Sequence, residues 1–165
     1  MDNLKRIMDK PFMWDLARST LNLLFGLNRN RVEIPRSWGC LEGSPSIIDI
    51  VCGIGQYTEI SCGSYLGIDL NEGYINYGRK RHISPNCSFI CNNIENLSEE
   101  ISVFDIDLMI DILHNLPYDD CGTLLNAAAK RSNKYVVSFE PIYTQRRLVG
   151  RWFVKQDRGS YIRES

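Results

Sequence analysis

The sequence predicts an α/β fold, a doubly wound sheet of about five parallel strands with helices on both faces. Short β-branched or aromatic runs recur at residues 47–51, 65–68, 88–91, 106–110 and 135–139, and each is apolar enough to be buried on both sides. Stretches of helical spacing separate most of these runs, the pattern of β-α units. The first run closes on Gly53 and Gly55 and the second on Asp69, so a glycine turn and a carboxylate fall on one edge of the sheet.

Residues 11–27 carry Phe12, Met13, Leu16, Leu23, Leu24 and Phe25 at helical spacing, with Asp9 as a cap and Gly26 and Asn28 as stop signals. This predicts an amphipathic helix that either covers a sheet face or lids the glycine edge. Residues 28–45, rich in Arg, Asn, Gly and Pro, read as a linker in which Trp38 is packing or lid. After the glycine turn, residues 56–60 support only a short helix, whose first N–H groups would face an anionic part of a ligand. Residues 72–81 are acidic at the start and close on Arg79-Lys80-Arg81, as the helix dipole favours, with His82 at the surface. Pro117 opens a helix to about Lys130, whose Leu124, Leu125, Ala127 and Ala128 can lie on the sheet. Residues 144–158 would gather Leu148, Val149, Trp152 and Phe153 on one side of a last, basic helix. The expected organisation is an N-terminal helix and linker over 1–45, an α/β core over 46–141 and a basic amphipathic segment over 142–165.

With 165 residues, 44% hydrophobic and 24% charged, one globular core is expected. A net charge of −1 provides no basic field for a large nucleic acid. The first ten residues lack the apolar centre of a signal peptide and no apolar run is long enough to span a bilayer, so a cytoplasmic protein without a transmembrane segment is expected. Six cysteines without a Cys-x-x-Cys pair, and two histidines, point to buried free thiols and no metal site.

The motifs resemble those of class I S-adenosylmethionine-dependent methyltransferases, a Rossmann-like family. Asp49-Ile50-Val51-Cys52-Gly53-Ile54-Gly55 is similar to the family's first motif, with Val51 where its first glycine belongs. Asp69, followed by Leu70, matches the ribose-binding acid. The stretch Asn92-Asn93-Ile94 resembles the adenine-binding motif, with Asn93 in place of an acid. Ile110 and Asp111 end the strand that faces the methyl group. The resemblance implies S-adenosylmethionine as cofactor, its product S-adenosylhomocysteine, and cofactor contacts at Asp49, Val51, Cys52, Gly53, Gly55, Asp69, Leu70, Asn92, Asn93, Ile94, Ile110 and Asp111. It also implies two further strands beyond the fifth, which residues 142–165 do not spell out, so the last helix, a second copy, or residues beyond a truncated end are expected to cover that edge.

Methyl transfer needs in-line positioning more than a covalent protein group, and where the acceptor is a hydroxyl a base helps. His114 is the candidate base; a locally bonded helix-start histidine is the plainer alternative. A small-molecule or lipid-like acceptor is expected. The rival readings are a non-catalytic, partner-binding member of the fold, an NAD-dependent oxidoreductase and an rRNA adenine methyltransferase, the last on the strength of Asn115-Leu116-Pro117-Tyr118.

Overall fold

The apolar runs do become strands, and they pair in parallel. In the computed structural model, which describes residues 10–60, 63–93 and 103–140, the elements run α1 (Pro11–Phe25), α2 (Leu27–Ser37), β1 (Ile47–Ile50), β2 (Tyr65–Asp69), α3 (Glu72–Arg81), β3 (Cys87–Cys91), β4 (Phe104–Ile110), α4 (Tyr118–Arg131) and β5 (Ser132–Phe139). The five strands form one sheet of order β3-β2-β1-β4-β5, every neighbouring pair parallel. From β1 the chain builds outward to β3, then returns to lay β4 on the other side of β1. The order therefore reverses between β1 and β4, and a doubly wound sheet binds its ligands at that reversal.

β1 is buried at every position because it lies at the centre of the sheet. One face packs Ile47, Tyr65, Phe89, Ile106 and Leu108 against Ile75 of α3, with Val32 of α2 at its margin. The other packs Ile48, Ile50, Ile68 and Met109 against Leu124 and Ala128 of α4. Burial of these side chains stabilises each by about 1.5–3 kcal/mol relative to exposure. The Phe89 ring sits in a hollow made by three glycines: a Cβ added to Gly55, Gly67 or Gly78 would stand 2.6, 2.8 or 3.0 Å from it.

Four expectations are corrected. Residues 28–37 are not linker: Gly26 takes φ 61° and ends α1, and the chain re-enters a helix at Leu27 that tolerates Pro35 within it. Val32 and the buried Pro35 hold that helix to the core, so packing outweighs a polar, proline-bearing sequence. The segment after the glycine turn forms only a 3₁₀ turn, Thr58–Ile60, which offers no helix N-terminus to an anion. His82 is half-buried, its Nδ1 3.0 Å from Thr58 Oγ1, and burial pushes its pKa down. The described cysteines are free, but Cys91 is exposed rather than buried. Cys62 and the basic segment 144–158 lie outside the described residues.

Candidate functional site

The carboxyl ends of β1, β2, β3 and β4 bring the expected motifs to one edge. Leaving β1, the backbone takes positive φ at Val51 (61°), Gly53 (57°) and Gly55 (80°). For glycine this costs little; for a β-branched side chain it is strained by about 1–2 kcal/mol. Val51 is also 45% exposed. Gly55 is pinned from below by Phe89, whereas a Cβ at Gly53 would meet nothing within 4 Å. Gly53 is thus the point of the turn that a ligand can approach.

Asp69, at the end of β2, holds this turn. One carboxylate oxygen accepts from Gly53 N at 2.9 Å and the other from Asn71 N at 2.8 Å. A carboxylate has about four acceptor sites, so these two bonds engage half of them, on a side chain that is 7% exposed. Leu70 beside it is 73% exposed and presents an apolar surface at the edge. After β3, Asn92 N donates to the Asp69 carbonyl at 3.2 Å, and Asn92 Oδ1 accepts from Asn93 N at 2.8 Å. Ile94 lies outside the described residues.

Three of the expected contacts point inward instead. Asp49 is 1% exposed within the sheet, its Oδ2 accepting from Tyr65 OH at 2.5 Å, and burial pushes its pKa up to about 7. Cys52 is buried against Gly67, its thiol donating to the Gly53 carbonyl at 3.5 Å; burial raises its pKa too. These side chains brace the turn from beneath, and Ile110 is likewise buried in the core.

At the end of β4, Asp111 takes φ 59° and meets two guanidinium groups. Arg31 of α2 donates from one nitrogen, Nη2, to both Oδ1 at 2.6 Å and Oδ2 at 2.5 Å, and Arg18 of α1 reaches Oδ2 at 3.3 Å. Arg18 also donates to Gln56 Oε1 at 3.1 Å and lies over the Trp14 ring, while Arg31 donates to Tyr57 OH at 3.1 Å. Burial raises the Tyr57 pKa, and the two arginines oppose that. A further tie runs from Asp15 of α1 to Tyr77 and Arg81 of α3. The N-terminal helices thus reach the ligand edge and are bound to it, not only to a sheet face.

Beyond Asp111 the chain makes a 3₁₀ turn, Leu113–Asn115, and its His114 Nδ1 stands 2.6 Å from Glu140 Oε2 at the end of β5. Asp107, in the middle of β4, is fully buried, and neither of its oxygens has a partner within the described residues. Burial pushes its pKa up to about 7. Sequence reasoning missed Arg18, Arg31, Gln56, Tyr57 and Glu140. Gln56 and Tyr57 adjoin the glycine turn and were legible by position; the arginines carried no signal but charge.

Among the described residues no cluster of His, Cys, Asp or Glu could hold a metal ion, and no helix is long and apolar enough to cross a membrane. Phthiotriol/phenolphthiotriol dimycocerosates methyltransferase of Mycobacterium tuberculosis is 30% identical to this chain over 81 residues, 46% of the chain and 30% of the relative. The Mycobacterium leprae counterpart is 31% identical over 77 residues, 44% of the chain and 28% of that protein. The match therefore spans under a third of these relatives' length. Among solved structures, magnesium protoporphyrin IX methyltransferase from Synechocystis PCC 6803 superposes with a TM-score of 0.57 at 16% identity, covering 78% of this chain and 65% of that one. N-methyltransferase NodS from Bradyrhizobium japonicum WM9 gives 0.56 at 20% identity, covering 69% and 68%. Both likenesses bear on the fold. The methyltransferase domain family matches residues 47–134, from β1 into β5 and more than half of the chain, and it is to this family that the protein belongs.

Proposed function

We propose that the protein is an S-adenosylmethionine-dependent methyltransferase acting on a small-molecule or lipid-like acceptor. The observation that carries this reading is the edge at the sheet's reversal, where Gly53 is open, Asp69 keeps acceptor capacity, and Asp111 with Arg18 and Arg31 offers both signs of charge. That set fits the parts of the cofactor in turn: a ribose diol for Asp69, an apolar surface at Leu70 for a base, and a zwitterionic amino-acid end for the guanidinium and carboxylate pair. When bound, the cofactor supplies an electrophilic methyl carbon on a sulfonium. The chain's share is to hold that group against the turn, to exclude water with α1 and α2, and to orient the acceptor. The lipid methyltransferase names among the relatives favour an acceptor of that class.

The non-catalytic reading draws on one observation of its own: Arg31 and Arg18 already occupy Asp111, so the edge is closed by the protein's own side chains. Titration calorimetry with S-adenosylmethionine, S-adenosylhomocysteine and NAD separates the alternatives. Saturable binding of the first two is expected, weakened at least about tenfold in Gly53→Ala, whose methyl group would fill the open approach. Binding of NAD alone would favour an oxidoreductase, and binding of none would favour the partner-binding reading.

A further inference from the structure

Glu140 closes β5 directly beside the strand that carries Asp111, since Ile110 pairs with Phe139 and Asp111 N donates to the Phe139 carbonyl. Its carboxylate is surrounded by donors. Oε1 accepts from the backbone N–H of Ile112 at 3.3 Å and Leu113 at 2.9 Å, and from Ser138 Oγ at 3.3 Å. Oε2 accepts from His114 N at 3.2 Å and stands 2.6 Å from the same residue's ring Nδ1. A group that accepts this many hydrogen bonds acts as an acceptor, so the proton between it and the ring belongs to Nδ1. Because backbone and ring of His114 meet the same oxygen, both the turn and the ring orientation follow from one carboxylate.

We infer that Glu140 is a positioning residue that fixes His114 as the Nδ1–H tautomer, so that Nε2 serves as the base for an acceptor hydroxyl. This rests on the methyltransferase reading and narrows it to transfer onto oxygen. As the acceptor's oxygen forms its bond to the methyl carbon, the carbon–sulfur bond breaks with its electron pair kept by sulfur. The hydroxyl proton passes to His114 Nε2. Glu140 then faces an imidazolium, whose positive charge it offsets. His114 is three residues beyond Asp111, on the loop after β4, and its side chain keeps 18% of its surface exposed.

The experiment is long-range ¹H–¹⁵N correlation NMR of the full chain at a pH where the rings are neutral. Only two histidines contribute, and His82, bonded to Thr58, serves as the internal reference. The expected spectrum has His114 protonated at Nδ1. In Glu140→Gln the preference is lost and the ring moves toward the Nε2–H form favoured by free imidazole side chains, while Glu140→Asp restores it at least in part. An Nε2–H tautomer in the unaltered protein overturns the inference, as does an unchanged tautomer in a folded Glu140→Gln. The unaltered spectrum decides the matter even if the variant fails to fold. Calorimetry keeps the two readings apart: an Nδ1–H ring without cofactor binding sinks the methyltransferase reading, and cofactor binding with an Nε2–H ring sinks the dyad alone.

Discussion

The two halves of the ligand edge are built by different means. On the β1–β2 side the main chain does the shaping: positive φ at Val51, Gly53 and Gly55, with Asp69 bonding backbone N–H groups close by. On the β4–β5 side the edge is held by side chains that meet across long stretches of sequence, Arg18 and Arg31 with Asp111, and His114 with Glu140. The first half is a preformed cradle. The second is an arrangement of two arginine–carboxylate pairs and a histidine–carboxylate hydrogen bond, each joining elements far apart in the chain.

This contrast is testable. Asp69→Ala removes two charge-assisted bonds from the cradle, leaving Gly53 N and Asn71 N without their acceptor; a loss of about 3 kcal/mol in urea unfolding is expected. A loss under about 1 kcal/mol would show that the turn holds itself. On the other half, Arg31→Met should cost about 2 kcal/mol, since Arg31 and Asp111 are largely withdrawn from water and Arg18 only partly compensates. A double-mutant cycle with Asp111→Asn should return a coupling of similar size. Near-additive losses would mean the latch is not an energetic unit.

The buried carboxylate of Asp107 belongs to neither half and sharpens the comparison by its pH dependence. Burial pushes its folded pKa up to about 7 from the ordinary 3.8, so between those limits the folded protein holds a proton that the unfolded chain has released. Stability attributable to this group is therefore full below about pH 4, falls as pH rises toward 7, and stays low above it. Asp107→Asn should lack that dependence, melting about 3 °C higher than the unaltered protein at pH 8 with the gap closing by pH 4. The smallest effect is expected at Val51. Val51→Gly relieves left-handed strain of about 1 kcal/mol but frees the unfolded chain by a similar amount, so stability should change by less than about 0.5 kcal/mol. Cofactor affinity, measured by calorimetry, should rise about threefold; a fall would show that the valine contributes to the site.

The same division explains what was legible in the sequence. The sheet, the helix at Glu72–Arg81 and the turn from Val51 to Gly55 follow from local signals: β-branched runs, an acidic start with a basic finish, and glycine spacing. Asp69 announced itself by standing at a strand end. Arg31 did not, because it lies in a polar stretch with a proline that reads as linker, and the contacts that hold that stretch as a helix, Val32 on the core and Arg31 on Asp111, come from far along the chain. Glu140 read as the end of a strand, since nothing near it in sequence reveals that β5 lies beside β4. Asp49 misled in the other direction, its place in the motif suggesting a ligand contact when its hydrogen bond goes to Tyr65.

The hollow of Gly55, Gly67 and Gly78 around Phe89 also sets a rule for substitution. One aromatic ring rations the volume of a turn, a strand and a helix at once, so the four positions behave as a single site in sequence space. A smaller residue at 89 opens room for bulk at Gly78, as in Phe89→Leu with Gly78→Ala, whereas Gly67 also meets Cys52 Sγ at 2.8 Å and Gly55 takes φ 80°, so neither accepts a side chain through a change at 89 alone. Residue 89 lies on the outermost strand of the sheet, yet its size determines where the ligand turn comes to rest.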